Sequence, residues 1–275
     1  MVRETSVDLK GKVAVVSGGA RGLGFAVANA LLAREAKVAL AARTLDEATA
    51  AAAGLSGAVK PFGCEVREGA QVDLLAANAS RELGPIDVWI NAVGPTGPFG
   101  PVRELSEADH REAIDATVHG THLATLAALR HMGARTECCI VNVAGRSEPL
   151  PRPLNAAWDA SKAWVKEFTL ALADEQKDTG VRVIAFEPGL MESRSSLMPE
   201  VSESAEAGVR ARLAVLRQKA APPEVPAERL VAAIESNARG LVKGTPFLWA
   251  LRGPLRMVFG GRPDFVISPK VLPRR

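Results

Sequence analysis

The sequence predicts an α/β domain built on a doubly wound parallel sheet, and three observations predict it. From Lys12 onward, short β-branched runs alternate with long alanine-rich amphipathic stretches. Most of those runs are continuously apolar, as strands covered on both faces are. A glycine-rich turn, Ser17-Gly18-Gly19-Ala20-Arg21-Gly22-Leu23-Gly24, joins the first run to the first amphipathic stretch.

In order, a strand at Lys12–Val16 leads to a helix over 22–35, and Lys37–Ala42 to a helix over 46–53. Val59–Phe62 precedes a helix over 68–83, and Asp87–Asn91, with Asp87 opening the strand, precedes a long helix over 108–132. Cys138–Val143 leads to a helix over 155–177, and Val181–Phe186 closes the regular alternation. Each helix can return the chain to the same edge, and right-handed crossovers then wind the sheet in both directions. A chain of 275 residues suits one such core, so residues 1–275 are expected to form a single domain.

After Gly189 the pattern weakens. Residues 194–226 form a polar, serine- and alanine-rich stretch around an expected helix at Ala207–Ala220, closed by Pro222, Pro223 and Pro226. It reads either as a substrate lid or as a surface insertion. The tail, 240–275, diverges further. Its apolar part, Leu241–Gly261, carries Trp249, Leu251 and Phe259, but Lys243, Arg252, Arg256 and Gly253-Pro254 exclude a membrane span. Packing or subunit contact is one reading of it, and docking on a membrane surface is the other.

Composition narrows the function classes. With 47% hydrophobic and 24% charged residues, the chain can fold around a core rather than stay disordered. A net charge of +3, 4% aromatics and no tyrosine argue against nucleic-acid binding. Cys64, Cys138 and Cys139 show neither CxxC nor metal-ligand spacing, so they read as buried thiols in a reducing compartment, with no metal site. Residues 1–12 lack an apolar signal core, and a cytoplasmic protein is expected.

Glycines between a strand and a helix let the backbone approach a pyrophosphate, whose charge the helix N-terminus favours. The spacing of Gly18, Gly22 and Gly24 resembles the T-G-x-x-x-G-x-G turn of the short-chain dehydrogenase/reductase family, with Ser17 for the threonine and Leu23 inside the turn. Cys64-Glu65-Val66 resembles the family's D-V step beside adenine, and Asn91-Ala92-Val93-Gly94 its N-N-A-G. Pro188-Gly189 with Ser193 resembles P-G-x-x-x-T, so the resemblance covers about residues 8–195. It implies a single-domain Rossmann fold with helices on both faces, and a dinucleotide held by Gly18, Arg21, Gly22, Leu23, Gly24, Arg43, Glu65, Val66, Asn91, Gly94, Lys162, Pro188, Gly189 and Ser193. Strand two ends Ala41-Ala42-Arg43-Thr44 without an acid at the turn, and Arg21 adds a second positive charge; the pair favours NADP(H) over NAD(H).

The resemblance further implies a tyrosine, lysine, serine and asparagine that handle the substrate proton. Here Asn155-Ala156-Ala157-Trp158-Asp159-Ala160-Ser161-Lys162 stands at the family's Y-x-x-x-K, with Trp158 for the tyrosine. An indole N–H donates a hydrogen bond but releases no proton in a useful pH range. Lys162 keeps its ribose contact by resemblance and lies one turn from Trp158 on the same helical face. Val141-Asn142-Val143-Ala144-Gly145 aligns on V-N-V-S-S and leaves Gly145 at the serine, while Thr117 replaces the asparagine. Ser147 reads as a loop serine or as a substitute within reach of the pocket. His119, His122 and Glu187 are weighed as replacement acids against ordinary surface roles, whereas Asp159 should point elsewhere.

Two readings of function stand. One is an atypical NADP(H)-dependent oxidoreductase acting on a small carbonyl or alcohol, or a non-redox catalyst in the same pocket, with Lys162, Trp158 and Ser147 as its degenerate catalytic set. The other is a catalytically silent subunit or scaffold that binds cofactor or pairs with an active homologue. By resemblance of the helices over 108–132 and 155–177 to the family's subunit contact, a homo-dimer or tetramer is expected.

Overall fold

A computed structural model describes residues 6–95, 97–133, 135–145, 154–192, 201–202, 205 and 220–244. Alternating side chains of each central strand enter opposite apolar layers. In β1 (Val13–Ser17), Ala14 and Val16 face one layer and Val13 and Val15 the other. β2 (Lys37–Ala42) divides in the same way, with Val38 and Leu40 opposite Ala39 and Ala41. With β3 (Val59–Gly63), β4 (Ile86–Asn91), β5 (Cys138–Val143), β6 (Val181–Glu187) and β7 (Gly240–Lys243) they form one parallel sheet ordered β3-β2-β1-β4-β5-β6-β7. The six strands read from sequence match to within a residue at each end. The strand order reverses between β1 and β4, which opens a crevice at their carboxyl ends.

One layer is covered by α1 (Gly22–Leu32) and α7 (Glu224–Glu235), where Val27 and Leu31 share a core with Leu230, Val231 and Ile234. α2 (Leu45–Ala52) borders this layer through Ala51 and Ala52. On the other face lie α3 (Gly69–Leu83), α5 (Gly120–Met132) and α6 (Ala156–Glu175), around Leu75, Ala127, Met132 and Leu172. Asp87 is structural, as expected for a strand opener: it accepts from Val13 N at 2.8 Å and from Arg135 at 2.7 Å, at the end of the sheet away from the crevice.

The chain departs from the sequence reading in three places. The long helix over 108–132 is broken into α4 (Glu107–Ile114), a π-turn over Asp115–His119 and α5, with Gly120 N bonded to Asp115 O. Pro226 does not close a helix; it lies in the first turn of α7, where a missing N–H costs little. Gly240–Lys243, assigned to the divergent tail, is the seventh strand and pairs with β6. The expected helix at Ala207–Ala220 lies outside the described residues apart from Ala220, as does the tail beyond Gly244. The stretch read as a lid is pinned at its base, where Glu192 N donates to Ala221 O at 2.8 Å and Ala221 N to Leu190 O at 3.0 Å. Ser202 N donates to Phe99 O at 2.8 Å, which ties part of it to the loop after β4.

Candidate active site

The turn after β1 passes close to itself: a side chain at Gly24 would place Cβ 2.2 Å from Gly18 O, so only glycine permits this path. Gly18 and Gly22 turn the chain in the left-handed region, at φ of +73° and +55°. Arg21 is the N-cap of α1 but offers no side-chain cap, and the first turn, which includes Leu23 and Gly24, holds no acidic residue. The helix therefore presents backbone N–H donors and a positive dipole end to an anion. Gly19 N bonds Ala41 O at 2.9 Å, which brings the turns after β1 and β2, with Arg21 and Arg43, to the same end of the sheet. Arg43 is exposed and stands 3.8 Å from Glu47. Nearby, the Arg67 guanidinium, 2.7 Å from Glu65, holds that carboxyl below the usual range. Val66 is buried and packs on Gly120 at the start of α5.

A buried polar chain underlies the crevice. Asn91 Oδ1 accepts from Trp89 Nε1 at 2.8 Å and from Ser17 Oγ at 3.1 Å, and Asn91 Nδ2 donates to Asn142 Oδ1 at 2.8 Å. Asn142 Nδ2 then donates to Thr169 of α6 at 3.1 Å. The amide of Asn91 is committed to protein partners and fixes the start of the segment Ala92–Gly94. Trp89, Asn142 and Thr169 were missed in the sequence; the available signal was a pair of asparagines ending neighbouring strands, which the register places side by side.

Lys162 is buried, with 6% of its surface exposed. Its Nζ donates to Val93 O at 3.1 Å and Val143 O at 2.8 Å, at the carboxyl ends of β4 and β5. Burial lowers its pKa to about 8. Gly145, at φ +76°, lies against the lysine stem: a Cβ there would be 2.9 Å from Lys162 Cγ. A side chain at 145 and the present path of Lys162 exclude each other. A Cβ on Gly94 would be 2.8 Å from Lys162 Nζ and 3.2 Å from Thr117 Oγ1, so amine and hydroxyl crowd one face of Gly94. Thr117 lies in the π-turn, fully buried, and its hydroxyl has no hydrogen-bond partner among the described residues. Trp158 is half-buried, one turn before Lys162.

His119 is exposed and 3.0 Å from Asp115, and His122 is exposed, edge-on to Phe168. Both sit on the helix surface. Glu187 is buried and shares its charge with Lys166 of α6 at 3.1 Å. Asp159 is half-buried. Pro188 and Gly189 follow β6 directly, with Gly189 at φ +77°. Ser147 and Ser193 lie outside the described residues. Among the described residues, no three His, Cys, Asp or Glu side chains gather to hold a metal, and no helix is long and apolar enough to cross a membrane.

The family model described as short chain dehydrogenase matches residues 12–204. The chain belongs to the short-chain dehydrogenase family. Among curated members it is 34% identical to D-threitol dehydrogenase of Mycolicibacterium smegmatis over 193 residues, 68% of this chain and 74% of that one. It is 30% identical to 3beta-hydroxysteroid dehydrogenase 1 of Eggerthella lenta over 250 residues, 86% and 92% of the two chains. The solved 3-ketoacyl-(acyl-carrier-protein) reductase from Brucella melitensis complexed with NADH superposes with a TM-score of 0.72 at 25% identity, over 86% of this chain and 98% of that one. As a short-chain dehydrogenase, the chain has the fold of the family's oxidoreductases.

Proposed function

We propose that this protein is an NADP(H)-dependent oxidoreductase acting on a small carbonyl or alcohol, with an altered route for the substrate proton. The observation that carries this reading is the uncapped, acid-free first turn of α1, flanked by Arg21 and Arg43. That turn fits a diphosphate, and the two arginines fit a 2′-phosphate. The exposed Arg43–Glu47 pair is worth little, so a phosphate dianion readily takes the arginine from Glu47. Lys162, Pro188, Gly189 and the segment ending at Gly94 lie where the nicotinamide half would rest. A bound nicotinamide would exchange hydride with the substrate carbon. Proton handling falls to the chain, and the residues at the family's tyrosine, serine and asparagine are Trp158, Gly145 and Thr117.

Those replacements favour a second reading, a catalytically silent subunit that keeps the cofactor. Three buried free thiols fit a reducing, cytoplasmic setting. A homo-oligomer through α5 and α6 is supported by Trp164, 37% exposed and stacked on Phe168 at 4.7 Å.

Fluorescence titration tests the cofactor: NADPH should bind roughly tenfold or more tightly than NADH, and Arg43→Ala should remove most of the difference, since a charge-assisted hydrogen bond is worth about 1.5–3 kcal/mol. Equal affinities would reject the NADP(H) preference. Turnover of a panel of aldehydes and ketones with NADPH separates the enzyme from the silent subunit, which would bind without turnover.

A further inference from the structure

We propose that Lys162 itself is the residue that gives the proton to the substrate oxygen, with the Thr117 hydroxyl as its neighbour in that transfer. The inference rests on the oxidoreductase reading above and deepens it. Of the four positions that handle the proton in the resemblance, Thr117, Gly145, Trp158 and Lys162, only the last holds a group that titrates in water. An ammonium has three N–H donors; Val93 O and Val143 O take two, which leaves one for another acceptor. The buried Thr117 hydroxyl, beside the same face of Gly94, has no hydrogen-bond partner among the described residues. Gly145 is what lets the lysine stem run along this path.

Among the described residues, charges on the elements around the amine are paired. Lys166, one turn further on α6, is paired with Glu187 of β6, and Asp115 of the π-turn is paired with His119. Among the described residues, β4, β5 and the segments ending at Gly94 and Gly145 bring no ionised side chain to Nζ, and no carboxylate forms an ion pair with it. Burial alone moves its pKa to about 8, near a working pH, where a general acid is most effective. In the reducing direction the carbonyl carbon gains the hydride supplied by NADPH, and its oxygen takes a proton from the ammonium. The products are the alcohol, NADP⁺ and a neutral amine, which solvent protonates again.

Two measurements test this. Without cofactor, the chain labelled at lysine Cε with ¹³C is titrated from pH ~6 to ~11, and the Lys162 signal is assigned by its loss in Lys162→Met. That signal should titrate near 8, apart from the other lysines near ~10.4; titration with the rest would overturn the proposal. With cofactor and a substrate from the carbonyl panel, kcat should fall as pH rises through about 8. Lys162→Arg, which keeps the charge, should abolish that limb and lower kcat about 100-fold or more. Thr117→Val should lower kcat several-fold with the NADPH Kd unchanged, and Thr117→Ser should restore it. An unaltered pH limb in Lys162→Arg overturns this role alone. Tight NADPH binding with no turnover of any carbonyl overturns it together with the oxidoreductase reading. If Lys162→Arg fails to fold, a Thr117→Val that leaves both the Lys162 titration and kcat unchanged rejects the proposal.

Discussion

Lys162 couples burial to pH at the residue scale. Its pKa in the folded chain, about 8, lies below the ordinary 10.5. Between those values the unfolded chain binds more protons than the folded one, so this group adds stability as pH rises and loses it as pH falls through 8. The thiols oppose it, because burial pushes Cys64 up to about 12 and Cys139 to about 11; their contribution is complete below the ordinary 9.0 and is lost at higher pH. The isolated lysine effect therefore appears as a difference. Wild-type stability minus that of Lys162→Met, measured by denaturant titration, should move in favour of wild type by up to about 3 kcal/mol between pH 8 and 10.5. A flat difference would mean that the amine titrates normally.

Elements meet at the buried amide chain, which joins β1, β4 and β5 to α6. Asn142→Ala removes three hydrogen bonds, those from Asn91 Nδ2 and Thr125 Oγ1 and that to Thr169, and leaves Asn91 Nδ2 only the long contact to Thr125 Oγ1 at 3.4 Å, while Thr169 keeps its bond to Val165 O. The loss should be about 2–3 kcal/mol by denaturant titration, and a loss under about 0.5 kcal/mol would show that the network is not holding α6 to the sheet. This network was only half legible in the sequence. Asn91 stood out through its family motif, but its partners sit on three other elements, and no local pattern ties Trp89 to Thr169. The π-turn was illegible for a similar reason: Asp115-Ala116-Thr117-Val118-His119 holds no glycine or proline to mark an irregularity, and its extra residue goes with α4 and α5 packing against different neighbours. α7 was missed because prolines at its start read as breakers; its burial against α1 supplies the stability that propensity does not.

Across the whole molecule, the turn proposed to hold the nucleotide and the residues proposed to handle the proton hang from the same row of strand ends, so ligand binding should stabilise the fold as one unit. At a free concentration 100 times its Kd, a ligand adds about 2.7 kcal/mol, which for a chain of this size corresponds to a Tm rise of roughly 5–10 °C. NADPH should produce such a rise in thermal unfolding and NADH at equal concentration a smaller one; no rise with either would remove the cradle from the protein's function. The amino-acid sequence by itself determined the six-strand alternation, the parallel buried sheet, the glycine turn and the substitutions at 117, 145 and 158, because hydrophobic period, turn chemistry and motif spacing are local properties. Only the tertiary structure decided that the Lys162 stem fills the space a side chain at 145 would need, that its amine lies between two strand-end carbonyls beside the Thr117 hydroxyl, and that α7 and β7 complete the sheet and its cover. Those are contacts between residues far apart in the chain, and their energies exist only once the core has closed around them.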